Sequence, residues 1–392
     1  MNPAALALAA PTRVVFGAGA AREAGTRARS LGAHALVVTG RAGARARFLT
    51  AALEAAGVRS TTFAVSGEPT VDVARAGVAA ARAGTCNLVV ALGGGSALDA
   101  GKAVAALLGN GGDPLDYLEV IGRGQPLTRP SLPTIAIPTT AGTGAEVTKN
   151  AVLASPAHGV KASLRSQFML PRVALVDPDL LRGLPAAVIA SSGLDALSQL
   201  IEPLVSSRAT PVTDELAREG IRLSARALHS AHAAARAGAD AAPADREALA
   251  LASLYGGLCL AHAGLGAVHG FAAPLGGMFL APHGAVCAAL LPAVLRVNAR
   301  ALATRAPEAP ALARLREVAA LVTDRPGATI DDGVAWIADL CAGLEIPGLA
   351  RHGLTAEQIP ALVSKARAAS SMKGNPIALT DAELAEIATA SL

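Results

Sequence analysis

Four side chains in the second half of the chain have types and spacing suited to holding a metal ion. Within ASSGLDALSQLIEP, Asp195 and Gln199 are four residues apart in a stretch with helical spacing, so they share one face and both can reach one ion. Downstream, GAVHGFAAPLGGMFLAPHGAVCAALLP carries His269 and His283, each beside glycine and set in apolar sequence. A carboxylate with two imidazoles suits Zn2+ or Fe2+ and leaves positions open for a substrate oxygen. Taken singly, either histidine reads as a hydrogen-bonded core residue, and it is the company of Asp195 that favours ligation. His262 reads as a supporting or structural residue, and His34, His158, His229, His232 and His352 as surface residues.

The first half carries a different chemistry. In NLVVALGGGSALDAGKAVAALL a buried-strand run ends in Gly93-Gly94-Gly95-Ser96 and gives way to a helix. Glycines there let the backbone approach a diphosphate, and the N–H groups and dipole of a helix N-terminus favour its negative charge. Asp99 suits the first helical turn, where it steers a ribose or substrate hydroxyl or simply complements the dipole. In IPTTAGTGAEVT a strand runs into Thr139 and Thr140 and then a glycine-rich loop, at the strand end where open α/β sheets bind ligands. At a third strand end, Val37–Arg41, glycine stands where an acidic residue would pair with an adenosine 2′-hydroxyl. Gly40 therefore leaves room for a 2′-phosphate, with Arg41 and Arg45 as nearby positive charge, so NADP(H) should be accepted at least as well as NAD(H). Gly17-Ala18-Gly19 only half-imitates a dinucleotide fingerprint.

These residues need two kinds of scaffold. From Arg13 to about Val176, short β-rich runs (Ala35–Thr39, Ser60–Val65, Asn87–Leu92, Thr134–Ile137, Ala174–Val176) alternate with helical stretches (Ala20–Leu31, Ala44–Ala56, Val71–Ala83, Ala97–Leu107). That alternation predicts a parallel sheet covered by helices. After Asp177-Pro178-Asp179 the β-rich runs stop and Ala/Leu/Arg segments with helical spacing continue to the end. Asp179 is expected to cap a short helix and Pro185 to open the next, which places an α/β domain at 1–185 and an all-helical domain at 186–392. Pro-Gly clusters at Pro274–Gly277, Pro282–Gly284, Pro326-Gly327 and Pro347-Gly348 are expected to connect helices. A length of 392 residues agrees with two domains, because single cores stop growing at roughly 250–300 residues.

Composition narrows the function further. The chain is 52% hydrophobic, much of it alanine, and its longest apolar stretch, Leu258–Pro282, is broken by histidines, proline and glycines, so no membrane span is expected. The N-terminus lacks the basic start of a secretion signal, which points to the cytoplasm. A net charge of +4 with scattered arginines and only 2% aromatic residues argues against nucleic-acid binding. Cys86, Cys259, Cys287 and Cys341 form no CxxC pair and read as buried thiols.

Taken in order, Gly93–Lys102, Pro138–Thr148, Gly193–Glu202 and Val268–Gly284 resemble the iron-containing alcohol dehydrogenase family, with its GGGSxxDxxK, PTTAGTGAEVT, GxDAxxHxxE and VHGxxHPLG…PHG segments. Ser370–Pro376 near the end extends the likeness over nearly the whole chain. The resemblance implies a nucleotide-binding α/β domain, a helical domain, cofactor in a cleft, a homodimer, and a divalent metal held by one aspartate and three histidines. Asp195, His269 and His283 carry over as ligands, while Gln199 occupies the place of the remaining histidine and offers a weaker amide oxygen. Ala273 stands where many members carry a further histidine. Thr139, Thr140 and Lys161 match positions that contact the nicotinamide nucleotide. The implied activity is hydride transfer between an alcohol and its aldehyde or ketone, with the lining around Phe271, Leu275, Met278 and Phe279 suiting a small or moderately apolar substrate. Two other readings are a maleylacetate reductase-like enzyme and a nucleotide-binding protein that has lost catalysis.

Overall fold

The computed structural model describes residues 13–40, 46–279 and 281–392. The N-terminal segment and the arginines Arg41 and Arg45 lie outside the described residues. The chain forms two compact units, one ending at Arg182 and the other beginning at Gly183.

The first unit is an α/β layer structure. Its elements run β1 (Arg13–Phe16), α1 (Ala24–Arg29), β2 (His34–Gly40), α2 (Arg47–Ala55), β3 (Arg59–Val65), α3 (Val71–Ala83), β4 (Leu88–Gly93), α4 (Gly95–Asn110), α5 (Pro114–Tyr117), β5 (Thr134–Pro138), β6 (Asn150–Ser155), β7 (Val160–Arg165) and β8 (Val173–Val176). Six strands pair in parallel in the order β1-β8-β5-β4-β2-β3. The sequence dictates which of them are central. Strands β4 and β5 are apolar apart from Thr134 and buried on both faces, as strands covered by helices on both sides must be. Alternate residues feed two cores: Val89 and Ala91 face one, Leu88, Val90 and Leu92 the other. Strand β3, RSTTFAV, lies at the sheet edge and is largely exposed along its length.

Strands β6 and β7 were not expected. They form a separate antiparallel hairpin closed by Pro156–His158 and Gly159, whose φ of +59° suits glycine. The stretch Ala20–Leu31 begins as a 3-10 turn at Ala20–Glu23 before α1. The helix cap at the end of this unit is Asp177, not Asp179. Its carboxylate accepts from Asp179 N at 3.0 Å and also from Gly19 N at 3.0 Å and Ala21 N at 3.1 Å, so one side chain joins two turns.

The second unit is helical: α6 (Ala186–Val205), α7 (Pro211–Arg236), α8 (Pro243–Ala263), α9 (Ala267–Phe279), α10 (His283–Arg305), α11 (Pro310–Thr323), α12 (Ile330–Gly343), α13 (Ile359–Ala368) and α14 (Asp381–Ala390). Thr210, Thr329 and Thr380 cap α7, α12 and α14 through capping boxes, and proline opens α7, α8 and α11. Pro274–Gly277 does not connect helices but lies within α9. The apolar stretch Leu258–Pro282 is divided between α8 and α9, which meet at a bend of 98°. One described helix, α10, is long and apolar enough to cross a membrane, and 72% of its apolar window is buried inside the protein, as in a core helix. Two histidines expected at the surface are buried: His34, whose Nε2 lies 3.0 Å from Thr61 Oγ1, and His232 on the inner face of α7.

Candidate metal centre and nucleotide site

In the α/β unit, the chain leaves β2 toward the β3 edge and leaves β4 toward β5 on the other side, so the carboxyl ends of β2 and β4 flank a topological switch point. Gly40 ends β2 and Gly93 ends β4. A Cβ added to Gly93 would lie 3.5 Å from Gly40 N, whereas one added to Gly40 would meet open space. Helix α4 starts at Gly95, and its N-cap, Gly94, supplies no side-chain cap. Ala97 N donates back to Gly94 O at 3.0 Å, which leaves the N–H groups of Gly95 and Ser96 to an external acceptor such as a phosphate.

The loop after β5 closes on this helix start. Thr139 N donates to Gly93 O at 2.9 Å. A Cβ on Gly94 would come within 3.2 Å of Thr140 Oγ1, and one on Gly95 within 2.7 Å of Thr143 Cγ2. Lys102, wholly buried on α4, donates to Ala145 O at 2.9 Å and Thr148 Oγ1 at 3.1 Å and pairs with Asp99 at 2.9 Å. The two glycine-bearing motifs are therefore one interlocked piece. Asp99 also accepts from Val152 N at 3.0 Å, tying β6 to α4. Lys161, on β7, is half-buried with its side chain only 5% exposed, and its Nζ meets Glu68 at 2.5 Å. Glu146, buried beside this lysine-bound loop, has its carboxyl pushed up to about 7 by burial, which its own backbone hydrogen bond and the Lys102 charge only partly oppose. Ser96 lies in the first turn of α4, partly buried.

In the helical unit, Asp195, Gln199 and Glu202 follow one another on a buried face of α6. Helix α9 brings His269 and α10 brings His283 to Asp195, with their Nε2 atoms 3.3 and 3.7 Å from its Oδ1. Helix α10 can approach this closely because residue 284 is glycine: a Cβ there would fall 2.4 Å from Ser191 O on α6. Glu202 anchors α9. Its Oε1 accepts from Val268 N at 2.7 Å and its Oε2 lies 2.6 Å from His269 Nδ1. Asn375, in the motif near the chain end, accepts from Ala267 N at 3.1 Å and exchanges hydrogen bonds with Asn298.

That arrangement fixes the chemistry. With Nδ1 donating to Glu202, neutral His269 turns the lone pair of Nε2 toward Asp195 Oδ1, so two acceptors face one another. Oδ1 of Asp195 is buried with no hydrogen-bond partner, and so is Oε1 of Gln199. A cation satisfies such a cluster. Without one, protons take its place: burial opposes a charged His269, but the neighbouring Cys287 sulfur and the Glu202 and Asp195 carboxylates outweigh it and raise its pKa well above the usual imidazole range. Asp195 is held low although burial pushes it up, because the charges of His283 and His269 prevail.

Three residues here went unassigned from sequence. Cys287 does not sit apart as an inert thiol: its sulfur lies 3.8 Å from His269 Nε2 and 3.7 Å from His283 Nε2, and it joins Asp195, His269 and His283 in a group whose donor atoms all fall within 4.8 Å of one another. Its spacing of one helical turn from His283, and that of Glu202 from Gln199, were legible signals. Lys102 had no comparable signal, since its burial depends on a distant loop. Of the expected substrate-lining residues, Phe271 and Leu275 are fully buried in α9, and Met278 and Phe279 half-buried.

Comparisons with known proteins match both units of the chain. The family model described as iron-containing alcohol dehydrogenase matches residues 11–178, and that of the C-terminal part of the Fe-containing alcohol dehydrogenase family matches 189–392. The 1,3-propanediol dehydrogenase of Klebsiella pneumoniae is 40% identical over 247 residues, which are 63% of this chain and 62% of that one. The match thus spans under two thirds of that relative's length. A crystal structure of a 1,3-propanediol oxidoreductase superposes with a TM-score of 0.89 at 32% identity, covering 99% of this chain and 100% of the other. The sulfoacetaldehyde reductase of Bifidobacterium kashiwanohense, solved in complex with NAD+, gives a TM-score of 0.85 at 30% identity with 99% of each chain covered. Two family models in sequence order, over the units that carry the glycine-rich strand ends and the Asp-His cluster, place the chain in the iron-containing alcohol dehydrogenase family of alcohol and aldehyde oxidoreductases.

Proposed function

We propose that this protein interconverts a small or moderately apolar alcohol and its aldehyde or ketone with NAD(P), using a divalent metal, Fe2+ or Zn2+, held by Asp195, His269 and His283. The observation that carries this reading is the buried Asp195 Oδ1, without a hydrogen-bond partner, facing two imidazole nitrogens at 3.3 and 3.7 Å. When bound there, the metal would supply Lewis acidity to the substrate oxygen and the nicotinamide a hydride acceptor or donor.

The chain's own residues do the rest. Glu202 holds His269 in one tautomer and orientation. Gln199 offers a neutral amide oxygen on the face of Asp195, a weaker donor to an ion than imidazole. Gly94, Gly95 and Ser96 present the start of α4 to the cofactor diphosphate. Thr139 and Thr140 flank that start and, with Lys161, match positions that contact the nucleotide in the family, while Asp99 is offered to a ribose or substrate hydroxyl or complements the dipole of α4. Gly40 leaves space for a 2′-phosphate, so NADP(H) is accepted as well as NAD(H). Ala273 supplies no proton, so proton exchange falls to other groups. A dimer and a cytoplasmic location belong to the same reading.

The test is a panel of primary and secondary alcohols, diols and aldehydes, assayed with metal-loaded protein and each nucleotide while following nicotinamide absorbance. Turnover of a subset is expected. Protein that binds metal and nucleotide yet turns over none of the panel overturns the reading.

A further inference from the structure

The metal centre proposed above still lacks a fourth strong protein donor, since Gln199 offers only an amide oxygen. We infer that Cys287 is this donor and that the site is an Asp-His-His-Cys set suited to Zn2+ over Fe2+. Bonds of about 2.0–2.3 Å place the donors of a tetrahedral Zn2+ site roughly 3.3–3.8 Å apart. The separations present are 3.3 and 3.7 Å from Asp195 Oδ1 to the imidazole nitrogens, and 3.8 and 3.7 Å from the sulfur to the same nitrogens. Four of the six edges thus have lengths suited to a tetrahedron with sulfur at one corner, and the other two lie within 4.8 Å.

The sulfur's surroundings separate it from the structural thiols. Buried Cys259 and Cys341 direct their sulfurs at backbone carbonyls, Thr213 O at 3.3 Å and Ala288 O at 3.5 Å, as weak S–H donors do. Cys287, equally buried, faces two imidazole nitrogens. Its position is rigid, one turn beyond His283 on α10, and α10 is pressed onto α6 through Gly284. Thiolate is a soft ligand, and with two imidazoles it favours Zn2+ and its spectroscopic substitute Co2+ over harder cations. The amide oxygen of Gln199 is then left to accept a hydrogen bond from a substrate hydroxyl.

Co2+ titration of the metal-stripped full-length protein tests this without recourse to activity. The wild type should bind one equivalent and develop a thiolate-to-cobalt charge-transfer band in the near ultraviolet. Cys287→Ser, nearly isosteric, should lose the band and bind Co2+ and Zn2+ at least about tenfold more weakly, the lower end of what losing even a supporting partner costs. Gln199→Ala should keep the band and stay within a few-fold of wild-type affinity. In the Cys287→Ser background, Gln199→His should recover affinity without recovering the band. The wild-type spectrum decides the matter whether or not a variant folds. Stoichiometric Co2+ with no thiolate band, or a band that survives Cys287→Ser, overturns the assignment of Cys287 and leaves the metal centre standing. Failure to bind Co2+, Zn2+ or Fe2+ at all overturns both.

Discussion

The nucleotide-side strand ends and the metal centre are built by opposite means. At the end of β4 the chain clears space: Gly94 and Gly95 matter for the side chains they lack, because Thr140 and Thr143 already occupy the volume a Cβ would take. In the helical unit it fills space: Asp195, His269 and Cys287 matter for the atoms they bring, and each is buried to 5% exposure or less. The first site is sensitive to volume and tolerant of charge, the second sensitive to chemistry. A further difference is reach, since the glycines adjoin in sequence whereas the donors come from three helices joined by a glycine contact and by Glu202.

The sharpest way to break the comparison is to show that the sites are not separable. His283→Ala should abolish metal retention and activity while nucleotide affinity stays at the wild-type level, because the glycine and threonine residues assigned to the nucleotide lie in the α/β unit. Its side chain is 36% exposed, so the truncation leaves little cavity and the fold should survive. Metal analysis beside calorimetric titration with NAD+ checks both halves, and unchanged metal content would sink the ligand role. The mirror experiment is Gly95→Leu. A Cβ 2.7 Å from Thr143 Cγ2, with a branched side chain beyond it, costs about 1–3 kcal/mol of overpacking and blocks the approach of a diphosphate. Nucleotide affinity should fall at least tenfold with bound metal untouched.

Glu146→Gln probes whether the glycine-side scaffold also stores chemistry. The carboxyl ionises near 7 in the fold against an ordinary 4.5, so the folded state holds its proton more tightly than the unfolded chain. Stability from this group is complete below the unfolded value and is lost as pH rises through the folded one, a decline of at most about 3 kcal/mol by pH 8. The amide variant escapes that decline. Its Tm should exceed the wild-type value at pH 8 and approach it at pH 5, and parallel pH profiles would remove the role given to burial. On the metal side, Glu202→Gln keeps the shape but weakens the grip on His269 Nδ1, and should lower metal affinity by about 10–100-fold. A chelator competition that gives wild-type release rates would reduce Glu202 to a helix anchor.

The same contrast explains what the sequence revealed. Apolar runs ending in glycine announce central strands and the phosphate-binding turn, because the requirement is local, and β4 and α4 formed where expected. The β6–β7 hairpin escaped notice because VLASPAHGVKAS lacks the apolar runs of the central strands, and its strands pair with each other rather than joining the main sheet. Asp195, His269 and His283 were legible from residue type and motif order. Cys287 was missed although it stands one helical turn beyond His283, because a cysteine in apolar sequence reads as a core thiol until α10 is docked on α6. His34 and His232 misled for the converse reason: polar type suggested the surface, while neighbouring strands and helices buried them.

The smallest expected effect tests the charge tolerance claimed for the glycine side. Residue 40 ends β2 beside the end of β4, and among the described residues no heavy atom lies within 4 Å of an added Cβ. Gly40→Asp should therefore leave fold and diphosphate binding intact while placing a carboxylate where a bound adenosine ribose would meet it. A 2′-hydroxyl donates to that carboxylate, whereas a 2′-phosphate is repelled. Water partly screens the pair at this half-buried strand end, so about 1–2 kcal/mol of discrimination is expected, and that corresponds to roughly a five- to thirtyfold shift of preference toward NAD(H). The measurement is the ratio of kcat/KM for the two nucleotides in both proteins, repeated at high salt, where the shift should shrink if it is electrostatic. A wild type that strongly prefers NAD(H) counts against the reading of Gly40. An unchanged ratio in the variant places the ribose away from β2 and leaves the phosphate-binding turn of α4 as the part of this site that stands.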